Sequence, residues 1–327
     1  MSLDEEVGRL MKSPLNLSTR VETSSPLGAR AISDLCIGFI GAGRLAAALA
    51  VALTRVGVNV AAVASRNDGA ARALATIAPE CKVLDPQAVA ETCNLVFVTT
   101  ADEAIQRTVE TLCWRPGMAV VHCSGATDMT VLAKAASDGA AVGGFHPMQS
   151  FTDPIAAAES LAGCTVSVEA EGDLLQTLGA IAAALGCAVN RLPANVRALY
   201  HAAAGYPSQY INVILFEAVK IWASWGATEA QALRALIPLV RGTLQSIEAR
   251  GLAAGMPGPV SRGDAATVAS HVSALEAQSS DARRLYVELC YRSLDLALKR
   301  PQGLDVDAAD RVRKALAEGG LLAFTES

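Results

Sequence analysis

A run of apolar residues, Leu35-Cys-Ile-Gly-Phe-Ile40, passes directly into Gly41-Ala42-Gly43-Arg44-Leu45-Ala46 and then into an Ala-rich stretch. This order constrains the fold more than any other feature of the chain. A short apolar run ending at glycines reads as a buried strand, and the Ala-rich stretch that follows reads as a helix. GxGxxA is the turn between them. Gly41 permits the tight turn, Gly43 leaves the backbone open to an approaching group, and Ala46 lets the helix lie close to the strand.

The same rhythm recurs. Leu35–Ile40, Asn59–Ala64, Leu95–Thr99, Ala119–Cys123, Ala140–Phe145 and Cys164–Val168 are apolar runs separated by helical stretches, and a helix over Asp173–Leu185 and a strand over Cys187–Arg191 close the region. Near-continuous apolar strands fit a sheet covered on both faces. The expected fold class is therefore α/β, a Rossmann doubly wound, mostly parallel sheet. After Pro193 the strand signals stop and helical patterns follow at Asn195–Trp225, Thr228–Ala249, Asp264–Gln278, Asp281–Lys299 and Asp307–Glu318. Thr228, Asp264 and Asp281 are expected N-caps, and the Gly- and Pro-rich segment Gly251–Gly263 an interhelical loop. The expected organisation is a tail over 1–33 with a short helix at Glu5–Lys12, a nucleotide-binding domain over 34–192, and an all-α substrate and dimerisation domain over 193–327.

Composition narrows the function classes. A chain of 327 residues suits two domains. With 52% hydrophobic and 18% charged residues it is not a disordered chain. The most apolar region, Ile37–Val63, is interrupted by Arg44, Arg55, Gly57 and Asn59, which argues against a membrane span. The net charge is −5 with no basic cluster, so neither nucleic acid nor a membrane surface is an expected partner. The eight Cys stand singly, without CxxC or Cys/His clusters, which reads as reduced thiols in a cytoplasmic protein with no metal site. The N-terminus lacks a basic region followed by an apolar one, so no signal peptide is expected.

The strand–turn–helix context makes Gly41, Ala42, Gly43, Arg44 and Leu45 candidates for holding a dinucleotide pyrophosphate, at free N–H groups and the positive end of a helix dipole. The bland alternative is a glycine turn that binds nothing. The second strand ends Val63-Ala64-Ser65-Arg66-Asn67, with no carboxylate at its tip to hold a ribose 2′-OH. Ser65 and Arg66 can instead bind a 2′-phosphate, which favours NADP over NAD; otherwise Arg66 is a solvated loop residue. Asp68 reads as the cap of the next helix. Thr99, Thr100 and Ala101 follow the strand ending at Val98 and are candidates to line the ribose or nicotinamide. His122-Cys-Ser124-Gly125-Ala126 occupies the same rim, as a substrate-lining segment or as a plain turn.

Two histidines carry the chemistry. His146, in Gly143-Gly-Phe-His146-Pro-Met-Gln149-Ser-Phe151, sits beside Gln149 and could meet a polar substrate or cap backbone carbonyls. His201 lies near the start of the long helix opening the second domain. In a continuous helix His201, Gly205, Ser208 and Asn212 share one face, polar and small within an apolar sequence. Pro207 removes a ladder hydrogen bond and implies a kink. His201 is the candidate proton donor, with Asn212 in the catalytic set and Ser208 beside it; the alternative is a histidine bonded inside a domain contact. Lysines number only six, and Lys220 lies about 28 Å beyond His201 in a straight helix, too far to share its chemistry. Arg241 and Arg262 would bind a carboxylate-bearing substrate together, or serve singly as ion-pair residues, while Asp264 reads as a cap.

The GxGxxA turn, the His146-Pro-Met-Gln149-Ser-Phe151 segment, the His201 helix and Gly258-Pro-Val-Ser-Arg262-Gly-Asp264 together resemble an uncharacterised bacterial family. Its members join a Rossmann-like N-terminal domain to a helical C-terminal domain of unknown function. The resemblance covers most of residues 35–300. Wider similarity is to pyrroline-5-carboxylate reductase, the β-hydroxyacid dehydrogenases and the deazaflavin-dependent NADP oxidoreductases. It implies a helical domain resembling that of 6-phosphogluconate dehydrogenase, closing over the nicotinamide and forming a homodimer. The stretch from Ser208-Gln-Tyr210 to Glu217-Ala218 is similar to the post-junction helix of pyrroline-5-carboxylate reductase. The chain lacks that enzyme's Gly-Ser-Gly-Pro-Ala-Tyr signature and the Lys-x-x-x-Asn pair of the hydroxyacid dehydrogenases. The expected activity is NADP-dependent hydride transfer to or from a small C=O or C=N substrate in the cleft between the domains. Ser124, His146, Gln149, Ser208, Arg241 and Arg262 would line that substrate. A non-catalytic NADP sensor, and hydride exchange with a deazaflavin as co-substrate, are the rival expectations.

Overall fold

The computed structural model describes residues 32–151 and 153–318; the expected N-terminal helix at Glu5–Lys12 lies outside them. The strands are β1 (Cys36–Ile40), β2 (Asn59–Ala64), β3 (Lys82–Val83), β4 (Leu95–Val98), β5 (Ala119–His122), β6 (Ala141–Pro147), β7 (Thr165–Glu169) and β8 (Ala188–Arg191). Between them run α1 (Arg44–Arg55), α2 (Asp68–Ile77), α3 (Pro86–Thr92), α4 (Asp102–Glu110), α5 (Ala133–Ser137), α6 (Pro154–Glu159) and α7 (Gly172–Ala184). Only β3 has no counterpart in the sequence pattern. Two residues long and exposed, it carries no apolar signature and exists through its pairing with Ala62 and Val63.

All eight strands form one sheet in the order β3-β2-β1-β4-β5-β6-β7-β8. Neighbours are parallel throughout except β6 and β7. The order reverses between β1 and β4, the place where open α/β sheets leave a crevice outside the carboxyl ends of their strands. Side chains alternate along each strand, so β4 sends Leu95 and Phe97 to one face and Val96 and Val98 to the other, all four buried. One face buries Phe39, Phe97 and Phe145 with Leu49 and Leu53 of α1. Phe97 stacks on Phe39 and meets Phe145 edge-on, each at 5.6 Å between centroids. The other face buries Ile40, Val96, Val98 and Val120 against Ile105 of α4. Both faces are thus dry, which is why the strands read as continuous apolar runs.

The chain divides into two compact units after Ala204. A boundary at 192 was the expectation from sequence; the division instead leaves α8 (Arg197–Gly205) with the sheet up to Ala204. The second unit holds α9 (Gln209–Ala223), α10 (Glu229–Gly255), α11 (Ala265–Gln278), α12 (Ser280–Leu298) and α13 (Val306–Glu318). The single helix expected over Asn195–Trp225 is two helices. Tyr206–Ser208 form a turn, because Pro207 has no N–H to donate and its ring crowds the carbonyl one turn back. The shared face of His201, Gly205, Ser208 and Asn212 is therefore interrupted. Other differences are local. Asn67, not Asp68, caps α2, and Asp68 pairs with Arg72 at 2.8 Å. Ser279, not Asp281, caps α12. The helix from Thr228 continues to Gly255 across a break at Gly251.

The helical unit has its own core, built from Val260, Val268, Val272, Val287, Leu294 and Val312. By contrast α9 buries none of its residues and exposes Val213, Ile214 and Phe216, while α10 exposes Leu239 and Leu244. Among the described residues no helix is long and apolar enough to cross a membrane, and no group of His, Cys, Asp or Glu is placed to hold a metal ion. All eight cysteines are free thiols.

Candidate functional site

The turn after β1 sits at the reversal point of the sheet. Gly41 has φ +111°, and a Cβ there would lie 2.6 Å from the Thr99 carbonyl group, so both backbone conformation and space require glycine. The loop is held from both sides: Gly41 N–H donates to the Ala64 carbonyl at 2.8 Å, and Thr99 Oγ1 donates to the Gly41 carbonyl at 2.7 Å. Thr99 thereby shapes the loop rather than offering its proton to a ligand. Gly43 differs, since a Cβ there would meet nothing within 4 Å. It is also the N-cap of α1 and supplies no side-chain cap, leaving the first N–H groups of that helix open.

Two adjoining cavities flank this turn. The larger, about 700 Å³, runs from Gly41, Ala42 and Gly43 past Ser65 and Arg66 at the β2 tip to Arg107 and Thr108 on α4. The second, about 420 Å³, runs from Gly43, Arg44 and Leu45 over Thr99, Thr100 and Ala101 to Asp102 and Ser124. Thr100 Oγ1 is buried without a hydrogen-bond partner and borders both. Arg66 and Arg107 are exposed and make no ion pair among the described residues. Open backbone at Gly43, an uncapped helix N-terminus, an unpartnered hydroxyl and two free cations suit a phosphorylated dinucleotide. All ten residues expected at the cofactor border one cavity or the other.

At the far end Ser124 is already engaged. Its hydroxyl donates to Asp102 at 2.7 Å and accepts from the N–H groups of Ala126 and Thr127 at 3.2 and 3.0 Å. Beyond it the two candidate histidines meet. A Cβ on Gly125 would lie 2.6 Å from His201 Nδ1 and 2.8 Å from His146 Nε2, so both imidazoles press against this glycine. Their ring centroids are 6.1 Å apart. His146 belongs to β6 itself rather than to the loop after it, and its Nδ1 lies 2.6 Å from the Tyr200 hydroxyl. Burial, then the neighbouring His201 and Arg197, lower the His146 pKa to about 4. His122, at the end of β5, is fully buried and neither of its nitrogens has a partner. Burial, then Arg197, lower its pKa to about 3. Both rings are therefore neutral at pH 7. His201 is exposed.

Arg197 explains how α8 reaches this place. It is 3% exposed, pairs with Glu169 on β7 at 2.5 Å, and donates to the Ser124 carbonyl at 2.7 Å. Its guanidinium lies over Gly144, where a Cβ would collide with Nη2. Sequence reasoning missed Arg197, Glu169, Tyr200 and Arg107. A signal was present for two of them: Arg197, Tyr200 and His201 follow the i, i+3, i+4 spacing of one helix face.

The other expected substrate residues have bonds or positions of their own. Gln149 bonds the Ser160 carbonyl at 3.2 Å and the Ser150 N–H at 2.7 Å, which occupies its amide in holding its own loop. Ser208, Asn212, Arg241 and Arg262 belong to the second unit. There Asn212 donates to the Ser208 carbonyl at 3.2 Å, and Asp264 caps α11 as expected through Thr267 N–H at 3.1 Å. Arg241 and Arg262 are exposed.

Fold and site together define a doubly wound α/β protein with a dinucleotide-type turn, followed by a helical unit. Residues 21–147 match a Rossmann-like domain, and residues 164–293 match a domain of unknown function, DUF2520. The chain thus joins a Rossmann-like domain to a DUF2520 domain. No curated protein matches it. Among solved structures it is similar to a provisionally named NADP oxidoreductase of Bacteroides fragilis, at 26% identity and TM-score 0.64, covering 81% of this chain and 100% of that one. It also resembles a reductive aminase of Aspergillus terreus in complex with NADPH and ethyl levulinate, at 13% identity and TM-score 0.59, covering 86% and 99%. A pyrroline-5-carboxylate reductase of Coxiella burnetii matches at 16% identity and TM-score 0.53, covering 80% and 97%. The last two likenesses are likenesses of fold.

Proposed function

We propose that this protein is an NADP-dependent oxidoreductase acting on the C=O or C=N bond of a small substrate. The observation that carries the reading is the pair of cavities meeting at Gly43, with Ser65, Arg66 and Arg107 at one end and the Gly125 histidines just past the other. Bound NADP(H) would supply or accept the hydride. The open N–H groups of α1 hold its pyrophosphate, and Ser65 and Arg66 hold the 2′-phosphate where an NAD site would carry a carboxylate. Thr100 contributes its unpartnered hydroxyl near the cofactor. His201, exposed beside Gly125, moves the proton to or from the substrate heteroatom, with His146 beside it. The likeness to the Bacteroides fragilis protein supports the choice of NADP. A second copy of this chain is the partner we infer for the helical unit, on the exposed apolar residues of α9 and α10.

The test is fluorescence titration with NADPH and NADH, on the protein and on Arg66→Asp. A charge-assisted contact to the 2′-phosphate is worth about 1.5–3 kcal/mol, so NADPH is expected to bind about 10- to 100-fold more tightly than NADH. Arg66→Asp should abolish that preference. Equal affinities for the two nucleotides in the unaltered protein would remove NADP from the reading.

A further inference from the structure

One strip of the sheet departs from the apolar rule that governs the rest. Across β5, β6, β7 and β8 it carries His122, Gly144, His146, Ser167, Glu169 and Asn190. Strand pairing sets Gly144 between His122 and Glu169, and Ser167 between His146 and Asn190. Arg197 and Tyr200 of α8 bond to this strip. The only residue that α8 buries is Arg197, so polar bonds rather than an apolar face attach the helix.

These bonds have a direction. The Asn190 amide nitrogen can only donate, and it donates to Ser167 Oγ at 3.0 Å. Ser167 is fully buried, and its hydroxyl accepts this bond. The Tyr200 phenol carries one proton, and His146 Nδ1, 2.6 Å away, is placed to accept it. A ring nitrogen that accepts carries no proton, so a neutral imidazole must carry its proton on Nε2. Nε2 is the nitrogen turned toward Gly125, where His201 Nδ1 converges from the other side. Among the described contacts the two rings share no hydrogen bond, which leaves the Nε2 proton available.

We infer that Tyr200 is a positioning residue that holds His146 as its Nε2–H tautomer, presenting a fixed donor beside His201 to a hydrogen-bond-accepting substrate atom, a carbonyl oxygen or an imine nitrogen. The identity of that acceptor rests on the oxidoreductase reading; the tautomer does not. A neutral donor suits the task, because it polarises the acceptor without giving up its proton and leaves proton exchange to the exposed His201. The two histidines thus take separate roles, set by their partners. His146 is oriented through Tyr200. His201 faces solvent.

Long-range ¹H–¹⁵N correlation on ¹⁵N-histidine-labelled protein at pH 7 tests the assignment. The chain has four histidines, so His146→Gln identifies the His146 signals by their loss. The expected pattern is a protonated, pyrrole-type Nε2 and a pyridine-type Nδ1. Tyr200→Phe should replace it with an averaged pattern in which both nitrogens are partly protonated. Ser167→Ala, which leaves the Tyr200 proton in place, should retain the original pattern. In turnover, Tyr200→Phe should lower kcat/KM for a carbonyl or imine substrate about tenfold with NADPH affinity unchanged. A proton on Nδ1 in the unaltered protein overturns the proposal whether or not the variants fold, as does an unchanged pattern in folded Tyr200→Phe. Failure of nucleotide binding with the tautomer intact would instead overturn the cofactor reading, and with it the assigned acceptor.

Discussion

Replacing His122 by leucine should make the sheet unit more resistant to acid, by an amount the structure sets. His122 is fully buried with both nitrogens unpartnered, and its pKa is lowered from 6.5 to about 3. Below pH 6.5 the unfolded chain therefore binds a proton that the folded chain refuses. Stability contributed by the neutral ring is complete above pH 6.5 and is lost as pH falls toward 3. Each pH unit in that window costs about 1.4 kcal/mol, so His122 removes about 2 kcal/mol between pH 7 and pH 5. His146, lowered to about 4, removes a similar amount over the same interval. Together these are a sizeable part of the roughly 5–15 kcal/mol that holds an ordinary domain. Leucine cannot titrate, and no other group loses a partner when the imidazole goes. At pH 7 the substitution should be close to neutral or stabilising. At pH 5 the variant should exceed the parent by about 2 kcal/mol more than it does at pH 7. Urea unfolding at pH 7, 6 and 5, followed by the fluorescence of buried Trp114 in a background with Trp222 and Trp225 changed to Phe, isolates the sheet unit. Parallel loss of stability in parent and variant would show that His122 titrates alike in both states and would refute the reasoning.

Gly125→Ala puts a methyl within 2.6 Å of His201 Nδ1 and 2.8 Å of His146 Nε2. Both imidazoles must move, so their NMR resonances should shift and turnover should fall about 100-fold, while NADPH affinity, measured by the same titration, stays unchanged. Phe216, 60% exposed on α9, lies on the surface assigned to a second copy of the chain. Phe216→Asp should therefore convert a dimer to a monomer in sedimentation equilibrium, and a parent that sediments as a monomer would remove the dimer from the reading.

Much of the fold was legible because the sheet is buried on both faces. Continuous apolar runs, broken by glycines and Ala-rich helices, have few other ways to satisfy their backbone groups out of water. The runs at Asn59–Ala64 and Leu95–Val98 were readable for this reason, whereas the short exposed β3 was not. The glycine turn was legible because it is local: strand, turn and helix are contiguous, and Gly41 has a steric reason to be glycine while Gly43 leaves the backbone open. The break at Pro207 was readable as a kink, but its size was not, since that depends on what the flanking helices pack against.

The histidine end of the site was only half legible. His146 and His201 stood out as residue types, yet nothing in their spacing of 55 positions says that they meet at Gly125. Ser124 and Gln149 looked like free polar groups, and tertiary bonds to Asp102 and Ser160 engage them. Arg197 looked like one arginine among many until burial against Glu169 and Ser124 made it the anchor of α8. The sequence by itself determined the alternation of strands and helices, the nucleotide turn and the missing carboxylate after the second strand, because each is written in neighbouring residues. Only the tertiary structure decided which imidazoles are buried, which of them meet at Gly125 and which hydroxyl lacks a partner. Those properties depend on burial and on partners from distant strands, which a linear pattern does not encode.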